Sequence, residues 1–282
     1  MTVPQAVITR LVALALEEDL GRGDVTTLAC VDPQAEGRAE MRARQALVVS
    51  GMGVAAEVFR QVDPSLDARA DVADASPVVA GARLLTVSGR AASILQAERV
   101  ALNFVQRMSA VATLTSKFVD ALPKGSGARI TDTRKTTPGL RSLERYAVRC
   151  GGGHNHREDL SSAVLIKDNH IAAAGGVTKA IERARARAPH TSKITCEVSN
   201  MAELAEALAA RAEIIMLDNF ADAALPEAVA QVAGRALLEV SGRVSLERVA
   251  VIAKAGIDVI SVGALTHSAG SVDIGLDWSL PS

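Results

Sequence analysis

Aromatic side chains are nearly absent. The 282 residues include one Trp, one Tyr and four Phe, 2% in all, too few to build the stacking platforms that hold single-stranded nucleic acid. Neither sign of charge is in excess: 31 Lys and Arg face 32 Asp and Glu, for a formal net charge of -1. Such a chain has no global field for a phosphate backbone, and nucleic acid is not an expected partner. Cysteine is scarce and odd in number. Cys30, Cys150 and Cys196 show neither metal-ligand nor CxxC spacing, so reduced thiols in a cytosolic compartment are expected, with no disulfide and no zinc. No apolar run approaches the roughly 20 residues that span a bilayer. The apolar stretch Leu11 to Leu16 has only Arg10 as a nearby cation and is followed at once by Glu17, Glu18 and Asp19, which predicts an amphipathic first helix rather than a signal core.

With 49% hydrophobic residues, the chain can bury a sizeable core as one large domain or two unequal ones. Periodicity predicts a helix from Gln5 to Asp19, a turn over Gly21 to Thr27, strands over Glu36 to Val49 and Ala82 to Ser88, and a helix between them from Val54 to Val62. A long helix is predicted over Ala92 to Leu122. On it Arg99, Asn103 and Gln106 stand at i, i+4 and i+7, hence on one face. A solvated stripe is the ordinary explanation of such a face, unless a partner's site lies opposite. From Ala128 onward, strands and helices alternate. Strands are predicted over Ala128 to Asp132, Ala163 to Asp168, Ile194 to Val198, Glu213 to Asp218, Ala236 to Ser241 and Asp258 to Val262. Helices are predicted over Leu140 to Val148, Val177 to Ala188, Met201 to Ala212, Leu225 to Ala233 and Ser245 to Ala255. Repeated βα units without a Rossmann glycine fingerprint favour a parallel α/β barrel, short of eight strands.

Parallel strands buried on both faces should be apolar, yet these end in Asp132, Lys167 with Asp168, Glu197, Asp218, and Glu239 with Ser241. In a barrel, the carboxyl ends of the strands form the mouth where ligands bind. One buried ion pair would explain one such residue; the same bias on five strands predicts a site. Between Asp132 and Arg157 lie six bases (Arg134, Lys135, Arg141, Arg145, Arg149, Arg157) and two acids (Asp132, Glu144), so the site is expected to bind a small polyanion. Gly151 to Gly153 would by itself be a flexible loop, and His154 and His156 surface histidines; the adjacent Arg157 turns the segment into a candidate ligand loop. An ammonium at the end of Val164, Leu165 and Ile166 needs an anion or a carboxylate to offset its desolvation, and Asp168 is the expected salt-bridge partner of Lys167. The turns Ser241 to Arg243 and Val262 to Ala264 are candidate phosphate cradles, although ordinary αβ turns also use glycine.

In order along the chain, EDLGRGDVTT (from Glu18), ERVALNFVQRMSAVATLT (from Glu98), DTRKTTPGLR (from Asp132), YAVRCGGGHNHR (from Tyr146), LIKDNHI (from Leu165), IIMLDNF (from Ile214), LEVSGR (from Leu238) and ISVGALTHSA (from Ile260) resemble the quinolinate phosphoribosyltransferase family. The resemblance covers about Glu18 to Asp277. It implies an N-terminal open α/β sandwich (1–112), an incomplete parallel α/β barrel (113–269) and a tail (270–282) packed back on the first domain. The implied reaction joins quinolinate to phosphoribosyl pyrophosphate and gives nicotinate mononucleotide, pyrophosphate and CO2, with Mg2+ as cofactor. A cytoplasmic homodimer sharing each site across its interface is implied, with a hexamer as the larger assembly. By position, Arg99 would cross from the partner, and Thr133, Arg134, Lys135, His156, Arg157 and Lys167 would surround the carboxylates and phosphates. Glu197 and Asp218 would face the ribose and the metal, with Lys135, Lys167, Glu197 and Asp218 as the catalytic set. Ser241, Gly242, Arg243, Gly263 and Ala264 would hold the 5′-phosphate.

This chain departs from the family pattern at Thr195, where an acid is usual, at Arg243, where Gly or Asn is usual, and over Glu158 to Ser162. The competing expectations are a paralogue acting on another pyridine carboxylate, a molybdate-uptake-associated homologue, and a non-catalytic barrel with a structural polar mouth.

Overall fold

The structure, a computed structural model, describes residues 2–279. In chain order its elements are α1 (Gln5–Leu20), α2 (Val25–Cys30), β1 (Glu36–Ala43), β2 (Leu47–Val48), α3 (Met52–Val62), β3 (Asp67–Ala70), β4 (Pro77–Val78), β5 (Arg83–Arg90), α4 (Ala91–Asp120), β6 (Arg129–Thr131), α5 (Arg141–Cys150), β7 (Val164–Ile166), α6 (Asp168–Ala174), α7 (Val177–Arg187), β8 (Ile194–Val198), α8 (Met201–Ala209), β9 (Ile214–Asp218), α9 (Leu225–Val232), β10 (Leu237–Ser241), α10 (Leu246–Lys254), β11 (Val259–Ser261), α11 (Ala264–His267) and β12 (Ile274–Ser279). Two compact units result. The first combines the chain up to Ser116 with Thr136–Gly152 and the chain from Leu265 on; the second comprises Lys117–Lys135 and Gly153–Ala264.

The first unit is built on an antiparallel sheet in the order β12-β1-β5-β3. Strand β1 shows why: Gly37, Ala39, Met41 and Ala43 are buried and alternate with Arg38, Glu40 and Arg42, which turn toward water. Helix α4 buries Ile94, Ala97, Ala101, Val105, Met108 and Ala112, the spacing of one helical face. The polar stripe divides. Arg99 and Asn103 are exposed, whereas Gln106 donates its amide to the Ile274 carbonyl at 2.7 Å and ties β12 to the helix. Glu144 on α5 is buried and accepts from Arg107 Nη2 (2.6 Å) and from the Thr137 N–H (3.0 Å), fastening 136–140 to this unit.

The second unit is a six-stranded parallel sheet in the order β6-β11-β10-β9-β8-β7. Strands β6 and β7 remain edges among the described residues. Beyond β6, His154 adds a single bridge to Thr131, which makes this an incomplete barrel. Each covering helix turns one apolar stripe inward: Val177, Ala180 and Ile181 on α7, Leu204, Ala207 and Leu208 on α8, Leu225, Ala228 and Val232 on α9. Asn200 caps α8 by accepting the Glu203 N–H at 2.9 Å.

Two expectations are corrected. Gly21 to Thr27 is a turn only as far as Asp24, whose carboxylate accepts the N–H groups of Thr26 and Thr27 and starts α2. The strand expected to reach Asp168 stops at Ile166, and Asp168 begins α6. The three cysteines are free thiols; burial pushes Cys196 up to about 12 and raises Cys150 as well, which disfavours the thiolate form of both.

Two stability tests follow from these contacts. A Cβ on Gly151 would run into the Ala112 carbonyl oxygen and stand 2.6 Å from Thr115 Cβ. Gly151→Ala is expected to cost about 2 kcal/mol by overpacking, and an unchanged urea midpoint would contradict that packing. Hydrogen bonds from Arg60, then from Gln61 and Thr9, hold the Glu57 carboxylate near 2 against the opposing effect of burial. A carboxylate depressed in the folded state adds stability above its unfolded value of 4.5, and that stability is lost as pH falls toward 2. Stability measured across that window should fall less steeply with decreasing pH in Glu57→Gln than in the unsubstituted protein.

Candidate active site

A cavity of ≈ 520 Å³ opens at the carboxyl ends of the parallel strands. It is lined by Thr133, Arg134, Lys135, His156, Arg157, Lys167, Glu197, Asp218, Ser241, Gly242 and Arg243, together with Leu165, Met216, Asn219 and Ser261. Three expected site residues do not line it: Arg99 is exposed on α4 in the first unit, Gly263 lies in the turn before α11, and Ala264 begins that helix. Asn219 and Ser261 were not anticipated. Their signal was position alone, each being the polar residue at or just after a strand's carboxyl end.

Five cationic side chains (Arg134, Lys135, Arg157, Lys167, Arg243) share this cavity with two acids, Glu197 and Asp218. Lys167 directly follows β7, and its Nζ lies 2.6 Å from Glu197 Oε2 on the neighbouring β8. Asp168 is therefore not its partner: it sits exposed at the start of α6 and accepts the adjacent Asn169 N–H at 2.7 Å. Strand pairing decides the matter, since β7 and β8 lie side by side and sequence distance does not report that.

Arg157 is half-buried. Its Nη1 donates to the Ala163 carbonyl at 3.0 Å, while its buried Nε has no hydrogen-bond partner. Burial lowers its pKa from the usual guanidinium value, and the neighbouring Arg134 lowers it further. Two guanidiniums that feel each other's charge, with a buried donor unmet on Arg157, suit a ligand carrying more than one negative charge. A second hollow of ≈ 490 Å³, which shares Arg157 and Leu165 with the first, is lined mainly by apolar groups such as Leu160, Ala163 and Pro189, so the charge is concentrated in the first.

Part of the cavity lining is a strained turn. Asn219, Gly242 and Arg243 adopt φ of 55°, 93° and 50°. A Cβ at Gly242 would collide with Asn219 Oδ1, so only glycine fits there. Arg248 holds the turn from behind, donating Nη1 to the carbonyls of Gly242 (3.1 Å) and Arg243 (2.9 Å) and Nη2 to Asp222 (2.6 Å). Asp218 keeps one carboxylate oxygen on the Asn219 amide at 2.8 Å. Among the described residues no three His, Cys, Asp or Glu side chains come together as a metal cage. Glu197 and Asp218 fit only an ion that brings most of its own oxygen ligands.

An incomplete α/β barrel with cations converging on its strand ends defines a protein that binds a small, multiply charged anion. The comparisons make it specific. Residues 24–109 and 111–277 match the family descriptions quinolinate phosphoribosyl transferase N-terminal domain and C-terminal domain, and the chain belongs to the quinolinate phosphoribosyltransferase family. It is 45% identical over 271 residues to the nicotinate-nucleotide pyrophosphorylase (carboxylating) of Mycobacterium leprae, covering 93% of this chain and 94% of that protein. It is 42% identical to quinolinate phosphoribosyltransferase (decarboxylating) 1 of Nicotiana glauca, covering 94% and 81%. The solved nicotinate-nucleotide pyrophosphorylase of Francisella tularensis superposes with a TM-score of 0.94 at 41% identity, covering 99% and 98%.

Arg243 is bulky for a left-handed position, a strain of about 1 kcal/mol. If the strain is kept for anion binding, Arg243→Gly should leave the melting temperature equal or higher while weakening inorganic pyrophosphate in a calorimetric titration. Unchanged pyrophosphate affinity would remove Arg243 from the site.

Proposed function

We infer that the protein transfers a phosphoribosyl group from phosphoribosyl pyrophosphate to the ring nitrogen of quinolinate, releasing pyrophosphate and CO2 and leaving nicotinate mononucleotide for NAD synthesis. The observation that carries this reading is the cavity of Arg134, Lys135, Arg157, Lys167 and Arg243 in a chain of this family. A pyridine nitrogen already carries a lone pair, so its attack on C1 of the ribose needs alignment and charge stabilisation rather than a general base. Arg134, Arg157 and Lys167 bind the two carboxylates, the guanidiniums as forks and the ammonium as a point charge. As the C1–O bond to pyrophosphate breaks, positive charge grows on the ribose, and Glu197 and Asp218 face it. Lys135 and the turn Ser241 to Arg243 take the phosphates, with Gly263 and Ala264 completing the 5′-phosphate cradle. The new C1–N bond makes the ring a pyridinium. It accepts the electron pair of the breaking C2–carboxylate bond, and C2 then takes up a proton.

Mg2+ prefers few protein carboxylates plus substrate phosphates; Glu197 and Asp218 would hold it, directly or through water, and it would neutralise the leaving pyrophosphate. The enzyme works as a cytosolic homodimer in which Arg99 of one subunit completes the other's site. The exposure of Arg99 and Asn103 on one face of α4 supports that part of the reading.

Protein mixed with carboxyl-labelled quinolinate, phosphoribosyl pyrophosphate and Mg2+ is expected to release labelled CO2; no release overturns the reading, and turnover of nicotinate instead points to a monocarboxylate enzyme. Arg157→Ala and Lys167→Ala should each lower kcat/KM for quinolinate by about 100-fold, the loss of a charged hydrogen bond, with unchanged circular dichroism. Inactive Arg99→Ala and Arg134→Ala subunits, once exchanged, should recover part of the activity, and none if each site belongs to one subunit.

A further inference from the structure

Two carboxylates from the strand ends lie behind the cavity wall rather than on it. Asp132, at the end of β6, is fully buried and accepts the His156 N–H at 2.7 Å and the Asn155 side-chain amide at 2.6 Å. Glu239, on β10, is 3% exposed, hydrogen-bonds to Ser261 Oγ on β11, and brings Oε1 to 3.4 Å from His156 Nε2. A carboxylate taken out of water needs such partners, but the choice of partner here is informative. The other imidazole nitrogen, His156 Nδ1, accepts the Arg157 backbone N–H at 2.7 Å.

A ring nitrogen that accepts a hydrogen bond carries no hydrogen. In the neutral ring the hydrogen then stands on Nε2, the nitrogen that faces Glu239. Ser261, Glu239, His156 and the Arg157 amide thus form one chain of contacts running from strand β11 through β10 into the ligand loop. Both ring nitrogens of His156 are engaged within the protein, although the ring lines the cavity. Arg157, at the end of this series of contacts, has a buried Nε without a hydrogen-bond partner and feels the charge of Arg134.

We propose that Glu239 is a positioning residue for the dicarboxylate subsite: acting through His156, it fixes the tautomer and rotation of the imidazole so that Nδ1 holds the Arg157 amide and aims its guanidinium into the cavity. His156 orients the loop rather than ligating substrate. The proposal rests on the reading of the cavity as the site of a pyridine dicarboxylate, and refines it. Arg134 repels Arg157, so the loop needs an anchor that does not itself occupy the ligand's place. A backbone contact supplied from the sheet does this, and displacements of an ångström in such an element are costly to a bound reactant.

The test uses the intact protein. Histidine 15N spectra, with His156 assigned by the signal lost in His156→Ala, should show His156 as the Nε2–H tautomer; an Nδ1–H tautomer overturns the proposal whether or not the enzyme turns over. That readout needs no substrate, so its failure is distinct from a failure of the functional reading. In steady-state kinetics, Glu239→Ala should raise KM for quinolinate roughly 10-fold and leave KM for phosphoribosyl pyrophosphate within about twofold, the signature of a shifted carboxylate ligand. Glu239→Gln, which keeps an acceptor, should stay within about threefold of the parent for both substrates. The double variant Glu239→Ala/His156→Ala should be no worse than His156→Ala alone, because the effect passes through the imidazole. Multiplying losses, or an equal rise in both KM values, would contradict the proposal; should Glu239→Ala fail to fold, the tautomer and Glu239→Gln still decide it.

Discussion

Repulsion among like charges is the constraint around which the second unit is arranged. Arg134, Lys135, Arg157, Lys167 and Arg243 converge on one cavity, and the guanidinium of Arg157 already feels both burial and Arg134. Such a cluster persists only if carboxylates hold its members in place. Glu197 pairs with Lys167, while Asp132 and Glu239 brace the loop that carries Arg157 without entering the cavity. The cluster is preorganised, and an incoming polyanion meets charges that need not be gathered first.

The fold explains how so many charges reach one place. Parallel strands end together on one edge of the sheet, and each contributes a residue or a turn there: Lys167 after β7, Glu197 in β8, Asp218 in β9, Ser241 in β10 and Ser261 in β11. Below that edge the strands are apolar, with Ile166, Cys196, Leu217, Val240 and Ile260 buried. The strand edge is thus both the limit of the core and the wall of the site, and the strained Asn219 and Gly242 backbone, pinned by Arg248, closes it.

Much of this was legible in the sequence because two periodicities were strong. Strand β8 falls on its predicted residues, and β9 and β10 begin one residue later than expected, since an apolar run bounded by a charged residue leaves little freedom. Helix α2 was missed because Gly21 and Gly23 dominate their window, although Asp24 with Thr27 is a capping pattern. Strands β3, β4 and β12 were missed because they are short or carry little alternation. In the site, residue types at strand ends exposed the cationic cluster, but not who pairs with whom. The partner of Lys167 depends on β7 lying beside β8. The bracing role of Glu239 depends on His156 folding back over the sheet, a contact 83 residues away in the chain that no local pattern encodes.

The central claim is that fixed cations select a doubly charged pyridine. Calorimetric titration of the intact protein with pyridine-2,3-dicarboxylate and with pyridine-3-carboxylate tests it most directly, because the two ligands differ by one carboxylate. The dicarboxylate should bind about tenfold or more tightly, the worth of one added charge-assisted contact; equal affinities would contradict the account.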